Sequence, residues 1–238
     1  MSLHKENEFR LAFEAAAVSF GLEALSKAQL EQLAKHYAML REWNRRINLT
    51  RIIAPDEAAR LHYAESLFGG RFVKDATSLL DIGSGAGFPA VPLAVARPDI
   101  RVTALEANHK KSIFLKEVKD ELRLNNFEVV TARLEAFDWS SYDLLTSRAL
   151  DRGETILPAV VGQLADGQRL MLYCAPDLLT AIEQSLGSRL SVETHPIPQS
   201  DSRLIAIFSR LPNPAATGKR PDDEQTAPVE ARGLLECR

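Results

Sequence analysis

Leu79-Leu80-Asp81-Ile82-Gly83-Ser84-Gly85-Ala86-Gly87-Phe88-Pro89 decides the architecture. Its apolar start predicts a buried strand, and Gly83, Gly85 and Gly87 follow at two-residue intervals. Val91-Pro92-Leu93-Ala94-Val95-Ala96 then predicts a helix, with Pro92 tolerable only in its first turn. Strand, glycine turn and helix together let a backbone lie close against a nucleotide-like ligand. A Cβ in such a turn would block either the chain reversal or the ligand. A dinucleotide site reads G-x-G-x-x-G; here the spacing is G-x-G-x-G, and Phe88 fills the third dinucleotide position. No G-K-[ST] follows, so the loop is not a P-loop.

Working outward, 238 residues hold one large domain with an appendage and enough chain to bury a core. No stretch approaches the ~20 apolar residues of a membrane span. The charged start Met1-Ser2-Leu3-His4-Lys5-Glu6 is unlike a secretory signal, which predicts a cytoplasmic protein. Cys174 and Cys237 have no CxxC or metal-ligand spacing, so neither a disulfide framework nor a metal is expected. A net charge of −3 argues against a general nucleic-acid coat but leaves room for a local basic face. Arg41, Arg45, Arg46 and Arg51 crowd one region, and Lys110, Lys111, Lys116 and Lys119 another; taken alone, each reads as a solvated helix face.

Before the glycine stretch the pattern is helical. Phe9, Phe13, Ala16 and Ala17 share one face, and Ser26 caps a second helix that carries Leu30, Leu33, Tyr37 and Leu40 and ends near Asn48-Leu49-Thr50. Pro55-Asp56-Glu57 opens a third, which runs to a break at Gly69-Gly70. After it, strands are expected at 78–82, 101–105, 127–131, 143–147 and 169–173, alternating with helices, as in a parallel sheet with crossovers. Strands at 190–195 and 203–208 lie too close together for a crossover and predict an antiparallel hairpin. The fold class is thus α/β, a doubly wound seven-stranded sheet behind an N-terminal helical cap. The cap is assigned to residues 1–75, the sheet domain to 76–211 and a proline- and charge-rich tail to 212–238, with cap and sheet forming one compact unit.

The pattern D-x-G-x-G-x-G, from Asp81 to Gly87, resembles the first motif of S-adenosylmethionine-dependent methyltransferases. In a doubly wound sheet the ligand lies outside the carboxyl ends of the strands. Gly83, Ser84, Gly85, Gly87 and Phe88 leave the first strand there. Glu106 ends the second, where an acid suits a ribose diol; a solvated surface acid is its plain alternative. Arg133, Leu134 and Glu135 follow the third strand, the usual adenine contact, and Ser147-Arg148-Ala149 follows the fourth, nearest the transferred methyl.

Trp43-Asn44-Arg45-Arg46-Ile47-Asn48-Leu49-Thr50, His62-Tyr63-Ala64-Glu65-Ser66-Leu67, the G-A-G-F-P run, Arg133-Leu134-Glu135 and Ser147-Arg148-Ala149 occur in that order. Together they resemble the RsmG (GidB) family of bacterial 16S ribosomal RNA guanine-N7 methyltransferases, over roughly residues 7–210. The chain departs from that pattern at Glu65, where the family usually has Asp, at Ala90 for Gly, and at Tyr173-Cys174-Ala175-Pro176 for Lys-Gly. The resemblance implies S-adenosyl-L-methionine as cofactor, and the 16S rRNA or the assembled small subunit as partner. Matched by residue, it implies cofactor contacts at Gly83, Phe88, Leu134, Glu135 and Arg148. Guanine N7 carries a free lone pair, so no general base is required and Arg148 is expected to position rather than to exchange a proton. Asn44, Asn48, His62 and Arg133 are candidates for the RNA; for the cap residues, hydrogen bonding at helix ends is the competing reading. A monomer is expected. The alternatives are a methyltransferase for a different RNA or a small molecule, and a non-enzymatic nucleotide-binding module on the same fold.

Overall fold

The computed structural model describes residues 2–72, 75–148, 153–185 and 190–210. The predicted tail and Ala149 lie outside them.

The cap begins with α1 (Ser2–Ser19) and α2 (Lys27–Trp43). Ser26 closes the start of α2 in a capping box with Gln29. This helix stops at Trp43, several residues before the Asn48-Leu49-Thr50 end that the sequence suggests. Asn44 is the cause: its Oδ1 accepts from the Leu49 and Thr50 amides and its Nδ2 donates to the Thr50 carbonyl, folding the chain back.

Next, α3 (Pro55–Ala58), a π-helical turn (Ala59–Ala64) and α4 (Glu65–Gly70) run on as one rod. The two glycines expected to break it close its last turn instead. Gly69 is required by a close approach, since a Cβ there would sit 2.2 Å from Tyr173 Oη. That hydroxyl donates to the Ser66 carbonyl at 2.7 Å, pinning the rod to the sheet.

The sheet comprises β1 (Ser78–Ile82), β2 (Arg101–Leu105), β3 (Phe127–Val130), β4 (Leu144–Arg148), β5 (Arg169–Cys174), β6 (Leu190–Pro196) and β7 (Leu204–Arg210), ordered β3-β2-β1-β4-β5-β7-β6. The first five strands are parallel, and β7 runs antiparallel between β5 and β6. Helices α5 (Ala90–Ala96), α6 (His109–Leu122), α7 (Gly153–Gly162) and α8 (Pro176–Ser185) supply the crossovers. The whole of β1 is buried, as a central parallel strand covered on both faces must be. Asn108 caps α6 through the Lys110 and Lys111 amides, and Arg123 ends it at φ 53°.

On one face Phe9, Tyr37 and Tyr63 of the cap share a core with Val91 and Phe114; on the other, Leu157 and Ile182 pack over Leu145 and Leu170. The expected strands and helices are all present, with ends shifted by a few residues. One shift carries weight: Arg148 is the last residue of β4 rather than the residue after a strand.

Candidate functional site

Three strand ends converge at the glycine loop. The Gly83 and Ser84 amides bond the Leu105 carbonyl at 2.9 and 3.1 Å, closing the loop against the end of β2. Ser147 Oγ donates to the Ile82 carbonyl and ties in β4. Gly83, Gly85 and Gly87 all have positive φ, at 71°, 58° and 88°, where side chains are strained. Their surroundings differ. A Cβ on Gly87 would lie 2.7 Å from Val91, so that glycine serves helix packing. A Cβ on Gly85 would meet nothing nearer than a carbonyl at 3.7 Å. Gly85 therefore borders open space, and its bare Cα leaves that space free.

Glu106 is buried beside it. One carboxylate oxygen accepts from the Gly85 amide at 2.8 Å and the other from the Asn108 amide at 2.7 Å. The acid predicted to meet a diol thus also braces the loop; with about four lone-pair sites, it has two left for a ligand.

The strongest chemical signal is Asp81, which the sequence reading placed in the motif without giving it a role. It is fully buried, and neither oxygen has a hydrogen-bond partner; the neighbouring Ser84 Oγ has none either. Three of the six buried unpartnered side-chain atoms among the described residues therefore belong to this pair. Burial pushes the Asp81 carboxyl up to about 7, and Glu106 adds to the rise; the Ser84 hydroxyl and the Ala90 amide lie near enough to oppose it, but neither makes a hydrogen bond of full geometry. A buried, unpaired carboxylate is costly, and a ligand carrying a cation would satisfy it.

On the cap side, Phe88 gives its ring to the protein. It stacks on His62 at 4.5 Å and meets Tyr63 edge-on at 5.0 Å. Desolvation, reinforced by the Arg148 charge, holds the His62 pKa down to about 3, so this ring is neutral. Arg148 Nη2 faces its Nδ1 at 3.5 Å, leaving the proton on Nε2 for Thr50 Oγ1 at 2.9 Å. Arg148 itself donates to the Leu61 and His62 carbonyls of the π turn, at 2.5 and 3.4 Å, and lies 3.5 Å from Glu65. Its carboxylate partner is thus Glu65, a residue that the sequence singled out only as a departure from the family pattern. Glu65 also meets Arg203 at 2.6 Å.

The other candidates stand apart. Asn44 is occupied by its loop bonds, while Asn48 is exposed. Arg133 and Glu135 are exposed on the turn after β3, and Leu134 is half-buried. Leu134 and Glu135 line a cavity of about 420 Å³ with Trp139, Ile156 and Val160. A larger cavity of about 930 Å³ lies between α1, α2 and α6; its charged walls include the pairs Lys35 with Glu121 and Arg45 with Glu42, and Arg10, whose Nε is buried without a hydrogen-bond partner. Unsatisfied polar atoms are more concentrated at the glycine loop, where Asp81 and Ser84 contribute three. Among the described residues no group of three or more His, Cys, Asp or Glu could hold a metal ion, and no helix is long and apolar enough to cross a membrane.

Residues 29–189 match the family described as rRNA small subunit methyltransferase G, GidB. Three curated relatives carry the name ribosomal RNA small subunit methyltransferase G. The protein from Roseiflexus sp. is 34% identical over 208 residues, 82% of this chain and 88% of its own. That from Bacillus pumilus is 30% identical, covering 92% of this chain and 98% of its own. That from Chromobacterium violaceum is 42% identical, but the match covers only 52% of this chain and 60% of its own. Among solved structures, cofactor-bound Rv0187 from MTB superposes with a TM-score of 0.55 at 17% identity, covering 76% of this chain and 91% of that one. A ribosomal protein L11 methylase from Lactobacillus delbrueckii gives 0.51 at 17% identity, covering 64% and 79%. Both share the fold.

Proposed function

The chain belongs to the rRNA small subunit methyltransferase G (GidB) family, and from that premise we propose that it methylates N7 of a guanine in the 16S ribosomal RNA of the small subunit. The cofactor is S-adenosylmethionine, which supplies an electrophilic sulfonium methyl. The residues at the glycine loop fit it. The unpartnered Asp81 carboxylate would take the ammonium of its amino-acid end, Glu106 has lone pairs for the ribose diol, and the bare face of Gly85 admits a close approach. The orphaned Asp81 carries this reading: a buried carboxylate without a partner marks where a cationic ligand belongs.

Guanine N7 attacks with a lone pair and loses no proton, so this chain need only orient base and methyl. Orientation alone contributes ~7–11 kcal/mol to such reactions. The methylated ring is cationic, and the groups near it suit that charge. Asp81 and Glu106 are acids, His62 is a neutral ring, and the Arg148 charge is met by Glu65. Arg148 acts as a positioning residue, holding the carbonyls of the turn that presents His62. Leu134 and Glu135 would wall the adenine, while the exposed Asn48 and Arg133 are placed to meet phosphates of a splayed loop. The protein works as a cytoplasmic monomer, without a metal, and its cap and sheet domain act as one unit.

The test is transfer of labelled methyl to small subunits, and to deproteinised 16S rRNA, from cells lacking this protein. Reduction and aniline scission then report 7-methylguanine in the 16S strand. Transfer to a different RNA, to another base position or to a small molecule overturns the substrate assignment.

A further inference from the structure

His36 lies in the middle of α2, fully buried, fifty residues from the glycine loop in sequence. Its two ring nitrogens reach two different elements. Nε2 is 3.2 Å from the Ala86 carbonyl in the loop, and Nδ1 is 2.9 Å from Tyr63 Oη in the π turn. A carbonyl can only accept, so Nε2 carries the proton. Burial drives the pKa of this ring down to about 3, so it is neutral and Nδ1 is bare. The Tyr63 hydroxyl must then donate to Nδ1, and the relay runs in one direction: Tyr63 O–H to His36, His36 N–H to Ala86 C=O.

The carbonyl it holds belongs to the peptide between Ala86 and Gly87. The amide of that same peptide donates to the Ser84 carbonyl at 2.8 Å, closing the Ser84–Gly87 turn. Fixing one end of a planar peptide fixes the other. Glu106 grips the loop at the Gly85 amide, and His36 grips it one residue further on, from the cap. The ring is wedged beside Phe88 and Phe114, with centroids at 5.3 and 5.9 Å, so it has little freedom to turn.

We propose that His36 is a positioning residue for cofactor binding, locking the glycine loop in its ligand-ready shape and coupling that loop to the helical cap. This rests on the glycine loop being the cofactor cradle. Tyr63, through His36, lets the π turn that carries His62 sense whether the cradle is filled. By linkage, whatever steadies the cap raises cofactor affinity by the same factor that the cofactor steadies the cap.

The experiment is calorimetric titration of the full chain with S-adenosylhomocysteine, beside a melting curve for each variant. His36→Phe keeps the ring packing and removes the donor; the dissociation constant should rise about tenfold or more. His36→Gln restores an N–H at similar reach and should recover most of that loss. Tyr63→Phe leaves Nδ1 unpartnered and the ring proton free to change nitrogen; it should weaken binding severalfold in a folded protein. Wild-type affinity in folded His36→Phe overturns the proposal, and so does a folded His36→Gln as weak as His36→Phe. Should His36→Phe fail to fold, Tyr63→Phe decides, with unchanged affinity overturning the coupling. Absence of binding by the unmodified chain would sink the cradle reading itself, a separate failure.

Discussion

Glu65 and Arg148 face each other across 3.5 Å at 1% and 11% side-chain exposure, with Arg203 on the other carboxylate oxygen at 2.6 Å. The residue that ends β4 is thereby tied to the helical rod of the cap and, through Glu65, to the start of β7. Burial raises the Glu65 pKa while both arginines oppose the rise, and the carboxylate depends on them.

Glu65→Ala should destabilise the protein by ~3 kcal/mol, because it strands two cations next to a buried space. Arg148→Ala should cost a similar amount as well as abolishing methyl transfer, since its guanidinium also caps the Leu61 and His62 carbonyls. The double variant should lose clearly less than the sum. Arg148→Lys should not rescue activity, as one ammonium cannot serve both carbonyls and the carboxylate. Urea unfolding of the four proteins checks this; strict additivity would show that the pair is not coupled.

Asp81 makes a prediction with a definite sign. Its folded pKa is raised from 3.8 to about 7, so the native state binds a proton more readily than the unfolded chain. Its contribution to stability is complete below the unfolded value and fades as pH rises from about 4 to 7, by on the order of 4 kcal/mol. Asp81→Asn should therefore melt higher than the wild type at pH 8 without cofactor, yet bind S-adenosylhomocysteine at least tenfold more weakly. A lower melting temperature at pH 8 would mean that the carboxylate is paired after all.

Gly85 and Gly69 should part company under the same substitution. Gly85→Ala places a methyl at φ 58° in the open cradle; it should cost ~1 kcal/mol in stability but lose most cofactor affinity. Gly69→Ala drives a methyl to 2.2 Å from Tyr173 Oη, so it should lower stability by ~2 kcal/mol or more and leave affinity largely intact at low temperature. Melting curves and titrations on both variants measure the split.

Asn44→Ala removes three hydrogen bonds to the 49–50 backbone and should cost ~2 kcal/mol. Amide exchange at Leu49 and Thr50 should accelerate. Unchanged protection there would mean that the side chain is free for the RNA.

Much of this protein is written in local pattern. Apolar runs place seven strands, the short gap between the expected last two strands demands a hairpin, and Gly83, Gly85 and Gly87 fix the loop and its class of ligand. Periodicity and turn chemistry suffice because each depends on neighbours a few residues away. Partner choice among buried polar groups does not. Nothing in Ala59–Ala64 announces a π turn, and nothing local shows that Glu65 will meet an arginine on β4, or that Asp81 will be left without a partner. His36 lies on the buried stripe of an ordinary amphipathic helix, and only the packing of α2 on the glycine loop brings its ring to Ala86. Sequence determined which elements form and where their ends meet. Tertiary structure alone decided which buried charges and rings satisfy one another, because those contacts are set by how whole elements pack in a medium where an unmet polar group is expensive.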